Sequence, residues 1–303
     1  MAAQVSVAGN DRIRQVVITA SAVFMIVGTL FGIGVFGTRV EESSGGSLSA
    51  TATLIAPAVR AFSIWSVIYA GLIAYVVWQW LPANAGSARA RAIGWLAAAS
   101  MVLNALWLLV TQVGWLWVSV GVIAVLAVTL GLLVRRLTEL PARGGWGERL
   151  VVDGSFGLYL GWVSVATAAN ITATLVASGV DPGGLVAELL AVVVLAVAAT
   201  LGVLLAVRLG GRVGVAAAMA WGLSWIAVGR LSGQPDSTLT GIAAALAAVV
   251  VAMPSSAWAN SRSSAMSRSA KGLALAANSR RKASTCAGDS AILGTRESSA
   301  KLA

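Results

Sequence analysis

The chain has 303 residues, 58% of them hydrophobic and only 11% charged, with a mean hydropathy of +0.87, far from the composition of a soluble domain and marking an integral membrane protein. It contains no histidine, which excludes histidine-ligated haem, histidine-based zinc sites and any catalytic triad built on imidazole. A single cysteine, Cys286, excludes an intrachain disulfide and cysteine-ligated clusters, and the net charge of +10 is mostly a property of residues 259–303, with 8 Lys/Arg against 2 Asp/Glu, so it gives no reason to expect nucleic acid as a partner.

A transmembrane helix needs about 20 mainly apolar residues, because hydrocarbon offers the backbone no hydrogen-bond partners. Charge-free runs therefore mark the crossings. Residues 1–14 form a short N-terminal segment, and the first run covers residues 15–38. It follows Arg12 and Arg14 as a signal peptide would, but it is longer than an h-region and lacks an A-x-A site. Residues 39–56 are rich in Ser, Thr and Gly, carry Glu41 and Glu42, and form a loop long enough to act as a lid. The second run lies within residues 61–88, ending near Trp80 and Pro82. Residues 92–134 would make one helix of about 65 Å, roughly twice the hydrocarbon thickness, so two helices are expected, broken at Gln112, Val113 and Gly114. Further runs at residues 154–180, 189–207, 213–229 and 237–261 bring the total to about eight helices. The fold class expected is all-α, a polytopic membrane bundle.

Loop charge gives an independent test, since Lys and Arg stay on the cytoplasmic side. With eight crossings, Arg12, Arg14, Arg89, Arg91, Arg135, Arg136, Arg143, Arg149, Arg208 and Arg212 share one side, and Arg39, Arg60 and Arg230 the other. Both termini are then cytoplasmic, in a multi-pass protein of the cell membrane. The Ser/Ala-rich basic tail, residues 259–303, has no apolar periodicity and reads as disordered, either functionless or in weak contact with anionic lipid.

Ionisable groups inside a membrane are costly and so point to function. Only Glu188 is expected near a helix body, where the helix dipole and interfacial water favour a structural carboxylate over a proton relay. There is no phosphate-binding loop in a strand–helix setting. Tryptophan is the abundant aromatic, with 12 copies against 5 Phe and 3 Tyr. Several fall at helix ends, where an interfacial belt explains them, and Trp221 and Trp225 are one turn apart and suit packing. Others share helical faces with small and amide side chains: Trp65 with Tyr69, Asn104 with Trp107, and Tyr159, Trp162, Ala166 and Asn170 at i, i+3, i+7, i+11. Such a stripe suits either a planar apolar ligand or helix–helix packing with Asn as interhelical glue, and spacing alone favours packing.

On these residues the sequence resembles the tryptophan-rich sensory protein and translocator protein family, TspO/MBR. The string YLGWVSVATAAN, Tyr159 to Asn170, looks like the family signature; FSIWSVIYAGL carries its Trp and following aromatic at Trp65 and Tyr69, and LNALW its Asn and aromatic at Asn104 and Trp107. The resemblance covers residues 15–180 and implies a five-helix transmembrane domain there, with residues 181–258 adding three helices. It further implies a receptor or carrier, not an enzyme, that binds a planar hydrophobic ligand, a porphyrin such as protoporphyrin or haem, in a pocket beneath the first loop. Carried over, Trp65, Tyr69, Asn104, Trp107, Trp162 and Ala166 would line it, with Asn170 farther along the face. No cofactor is required and no metal is expected. The first loop lacks the family's dense Trp and Pro pattern, and Val165 stands where many relatives have Phe. Two other readings stay open: a transporter of another small solute, for which no inverted repeat is found, and a regulatory or assembly protein without a ligand. Membrane lipid is the other partner expected. Small residues from Gly28 to Gly34 permit close helix contact, within one chain or in a homodimer.

Overall fold

The computed structural model describes residues 9–210 and 212–253. The expected segment 1–14 is thus described only from residue 9, and the basic tail lies outside the described residues. Eight helices carry the fold: α1 Gly9–Gly32, α2 Ile64–Trp80, α3 Ala88–Gln112, α4 Leu116–Glu139, α5 Ser155–Ala177, α6 Gly184–Arg208, α7 Val213–Ser232 and α8 Thr238–Ala252. Among the described residues there is no strand. The fold is an all-α polytopic bundle, and the chain is a multi-pass membrane protein.

Seven of these helices are long and apolar enough to cross a bilayer; α8 is shorter, at 15 residues, or about 22 Å. The run at 92–134 breaks where expected, between Gln112 and Leu116, with Gly114 at φ +73°, a backbone state that favours glycine. The first helix begins six residues before the charge-free run. It can do so because its charges are paired: Arg14 bonds Asp11 at 2.6 Å, and Asp11 in turn accepts from Arg91 of α3 at 2.6 Å. Deeper in, Gln15 and Gln79 each donate to the other's backbone carbonyl, at 2.7 and 3.2 Å, joining α1 to α2. At the same end Arg89 bridges Glu148 at 2.7 Å and Asp153 at 2.6 Å, and Arg212 also holds Asp153. These ion pairs tie α1, α3 and the segments entering α5 and α7 together at the end predicted to be cytoplasmic. The expectation that Glu188 alone lies near a helix body therefore needs correction, because mutual pairing brings Asp11, Arg14 and Arg89 into buried helical positions.

Packing runs in a chain: α1 on α3, α3 on α4, α4 on α5, then α5 on α7, α7 on α8 and α8 on α6, with α2 laid across α5. Helix α6 buries only Ala191, Leu195, Ala198 and Gly202, one stripe, and leaves its remaining Leu and Val face outward as lipid would require. The closest approach joins α5 to α7. Gly157 and Gly161 present bare backbone to Gly214, Val215 and Ala218, so a Cβ on Gly161 would collide with the Val215 carbonyl oxygen. One turn on, Gly222 of α7 meets Val165. This is small-residue packing of the kind that lets helices associate without a hydrophobic driving force. Gly28 likewise faces Ala105 of α3 within the same chain.

Helix α7 thereby reaches the long loop after α1. Arg230, 1% exposed, donates to the carbonyls of Thr53 at 3.0 Å, Ala50 at 2.9 Å and Gln234 at 3.2 Å. The Trp221 indole donates to Ala61 O, and Ala58 N donates to Trp225 O. On the other flank Gln112 exchanges hydrogen bonds with Thr38, and Ser44 Oγ donates to Thr111 O. The sequence places Arg230 in an outward loop; the structure places it in the last turn of α7, buried, because three loop carbonyls solvate it in place of water.

Replacing Gly161 with Ala should lower the melting temperature in detergent, at a cost of about 1–3 kcal/mol from overpacking. By contrast Gly121→Ala, in open space on α4, should be neutral or stabilising by up to about 1 kcal/mol; equal melting of the two variants would show that the α5–α7 approach is not tight. Arg230→Met should leave loop carbonyls unpaired and cost about 2 kcal/mol or more, the scale of hydrogen bonds to a charged group. Hydrogen exchange at residues 52–55 should then quicken, and unchanged exchange would mean that the guanidinium does not hold the loop.

Candidate functional site

The aromatic residues singled out in the sequence converge at the end of the bundle covered by the long loop. Trp65 and Tyr69, one turn apart on α2, stack at 5.1 Å and 19°. Across them stands α5, where Tyr159 and Trp162 meet Trp65 edge-on at 5.9 and 6.2 Å, and Phe62 closes on Trp162 at 5.7 Å. These offset and edge contacts suit the ring quadrupoles, so the rings hold one another in fixed orientations. Tyr159 is fully buried and donates to Ser100 O at 3.1 Å, fixing α5 to α3.

Two cavities flank this cluster. A cleft of about 420 Å³ opens between the ends of α1, α2 and α3, with Trp65, Tyr69 and Trp107 on its walls and Arg39 and Glu41 at its rim. A smaller pocket of about 50 Å³ lies beneath the loop, bounded by Leu48, Pro57, Trp107, Trp162, Ala166 and Asn170. Val40, Phe62 and Trp107 line both, so a single layer of side chains separates them. The first volume falls within the range of small-molecule sites, whereas the second holds little more than a water or two.

Five of the six residues expected at the site line one or both spaces. The sixth, Asn104, is fully buried behind Tyr69 and donates to its hydroxyl at 3.0 Å. Asn170 donates to Ser119 Oγ at 3.0 Å, joining α5 to α4. Both amides thus serve as interhelical links, and Asn104 Oδ1 still lacks a partner. The indole N–H groups of Trp107 and Trp162 are also buried without a partner, a costly state unless something else accepts them. Sequence reasoning missed Val40, Phe62 and Pro57 because they come from the loop and its exit turn, whose path no helical spacing encodes. Arg230 carried a readable signal, an arginine closing an apolar run, but two of its three partners, Thr53 and Ala50, are more than 170 residues away.

Among the described residues no group of His, Cys, Asp and Glu could hold a metal ion. The geometry offers an aromatic-walled cleft beside a buried indole N–H that no described protein group accepts.

No curated protein and no solved structure matches the chain. A comparison with family models gives a match to the TSPO-like protein family over residues 15–255, a span that takes in the last three helices as well as the first five. The bundle, the aromatic faces and this match over most of its length agree: the chain belongs to the TSPO-like protein family.

Proposed function

We propose that this TspO-type membrane protein is a receptor or carrier for a planar hydrophobic ligand, a tetrapyrrole such as protoporphyrin or haem, bound without chemical change. The ring system enters the 420 Å³ cleft and lies against the stacked Trp65–Tyr69 pair. Trp107 carries this reading: it lines both cavities, is only 6% exposed, and its indole N–H lacks a partner. A bound ligand that supplied an acceptor there would satisfy a group that the protein leaves unpaired. Arg39, exposed at the rim and only loosely paired with Glu41 at 3.6 Å, suits a carboxylate substituent of the macrocycle that displaces Glu41. Displacement of Phe62 and the loop would extend the cleft toward Trp162 and Ala166. The arginine distribution supports a cell-membrane protein with both termini in the cytoplasm and the covered cleft on the opposite face.

Trp162 is packed by Phe62 and Trp65, so truncating it would cost about 3–5 kcal/mol of stability as well as any binding. Trp107→Phe is the cleaner change, since it removes the N–H and keeps most of the ring. Protoporphyrin IX should quench the tryptophan fluorescence of the purified protein saturably, and Trp107→Phe should weaken it by about 1–2 kcal/mol, the scale of one hydrogen bond and part of an aromatic surface. Ala166→Phe fills the pocket beneath the loop and should weaken binding only if the ligand reaches past Trp107. Absence of saturable quenching in folded protein would leave the aromatic faces as packing surfaces.

A further inference from the structure

A larger cavity lies away from the aromatic cluster and has no part in that reading. It measures about 630 Å³ and is walled by the end of α5, the first turns of α6, loop residues 52–55, and Pro235 and Asp236 before α8. Its walls are mainly aliphatic, yet its charged groups are of one sign. Asp181, Glu188 and Asp236 line it, and no Lys or Arg does. Among the described residues none of these three carboxylates forms an ion pair. Arg230, which holds Thr53 of the cavity wall by its carbonyl, also binds the carbonyls of Ala50 and Gln234 and forms no ion pair with these carboxylates.

Glu188 is half-buried at the start of the second turn of α6. Its Oε1 accepts from Ser237 Oγ at 2.7 Å, and Ser237 in turn caps α8 by accepting from Thr240 N at 3.1 Å. That link fixes the carboxylate in place, while among the described residues its second oxygen takes no donor. A second observation is independent of the acidic groups. Thr53 lines the same cavity, is 5% exposed, and its hydroxyl has no hydrogen-bond partner. A buried hydroxyl without a partner is costly, and a ligand with a polar head would relieve it.

We propose that this cavity is a second binding site, for an amphipathic organic cation whose ammonium group meets Glu188 and Thr53 and whose apolar body fills the space between α5 and α6. The volume lies within the range of small-molecule sites. Apolar walls and an unpaired carboxylate at an interfacial depth favour a cation over an anion or a neutral solute. The same ammonium chemistry is presented by a free amphiphilic amine and by an ethanolamine lipid head.

Titration calorimetry on the purified full chain with 1-adamantylammonium tests this, with Trp107→Phe run beside it so that binding in the aromatic cleft would show as a loss there. The expected result is saturable binding, at least tenfold weaker for 1-adamantanol and absent for 1-adamantanecarboxylate. Glu188→Gln, which keeps an acceptor for Ser237, should weaken the ammonium tenfold or more. Ala187→Phe, filling the space beside it, should abolish binding without touching the Glu188–Ser237 link. Equal affinity for ammonium and alcohol, or undiminished binding by both folded variants, would overturn the proposal. Competition by phosphatidylethanolamine added to the micelles would assign the site to a lipid head, and lack of competition to a free amine.

Discussion

The contact on which the rest of this structure depends is the backbone approach of α5 to α7. Lipid tails are as apolar as Leu and Val, so two apolar helices gain little by exchanging lipid for each other unless they fit closely. Gly157 and Gly161 on one side and Gly214 and Ala218 on the other provide that fit. It uses the back of α5, leaving Tyr159 and Trp162 on the opposite face toward α2. The same helix therefore carries a tight seam and an aromatic wall. Because α7 is held so near, its last turn reaches the long loop, and Arg230 can gather three backbone carbonyls that would otherwise face a dry interior.

Polar groups are treated differently at the two ends of the bundle. At one end Arg14, Arg89, Arg91 and Arg212 are matched by Asp11, Glu148 and Asp153, and the resulting network staples segments that are distant in sequence. Buried pairs of this kind recover little more than their desolvation cost, but they specify which helices meet. At the other end the loop is secured by the Arg230 guanidinium on backbone carbonyls and by neutral side-chain hydrogen bonds, and Trp107, Trp162 and Thr53 each leave a donor unused. The ion-paired end also holds unpaired buried atoms, Arg14 Nε, Arg89 Nε and Asp153 Oδ2 among them, so what distinguishes the loop end is the cleft beside its aromatic cluster.

The aromatic site is a compromise between packing and vacancy. Trp65, Tyr69, Tyr159, Trp162 and Phe62 already satisfy one another's faces and edges, so the pocket beneath the loop is small. The larger cleft lies beside the cluster, where α1 and α2 touch only lightly. A flat ligand would meet preformed ring surfaces there, and it would have to displace side chains to go deeper.

Much of this was legible in the sequence. Hydrocarbon tolerates neither charge nor unpaired backbone, so charge-free runs located every helix, and the excess length of one of them located the turn at Gly114. Helical spacing put Trp65 with Tyr69 and Tyr159 with Trp162, since positions three and four apart must share a face. The residue pattern alone also carried the family resemblance. Which faces meet was decided only by the tertiary structure. That α7 would pack on α5 rather than extend the bundle at its edge, that Arg230 would be buried by loop carbonyls, and that Asn104 would be spent on Tyr69 all depend on partners dozens to more than a hundred residues away. The physical reason is that a transmembrane sequence states the cost of exposing each group to lipid, while the choice of which partner removes that cost is made by the packing of whole helices.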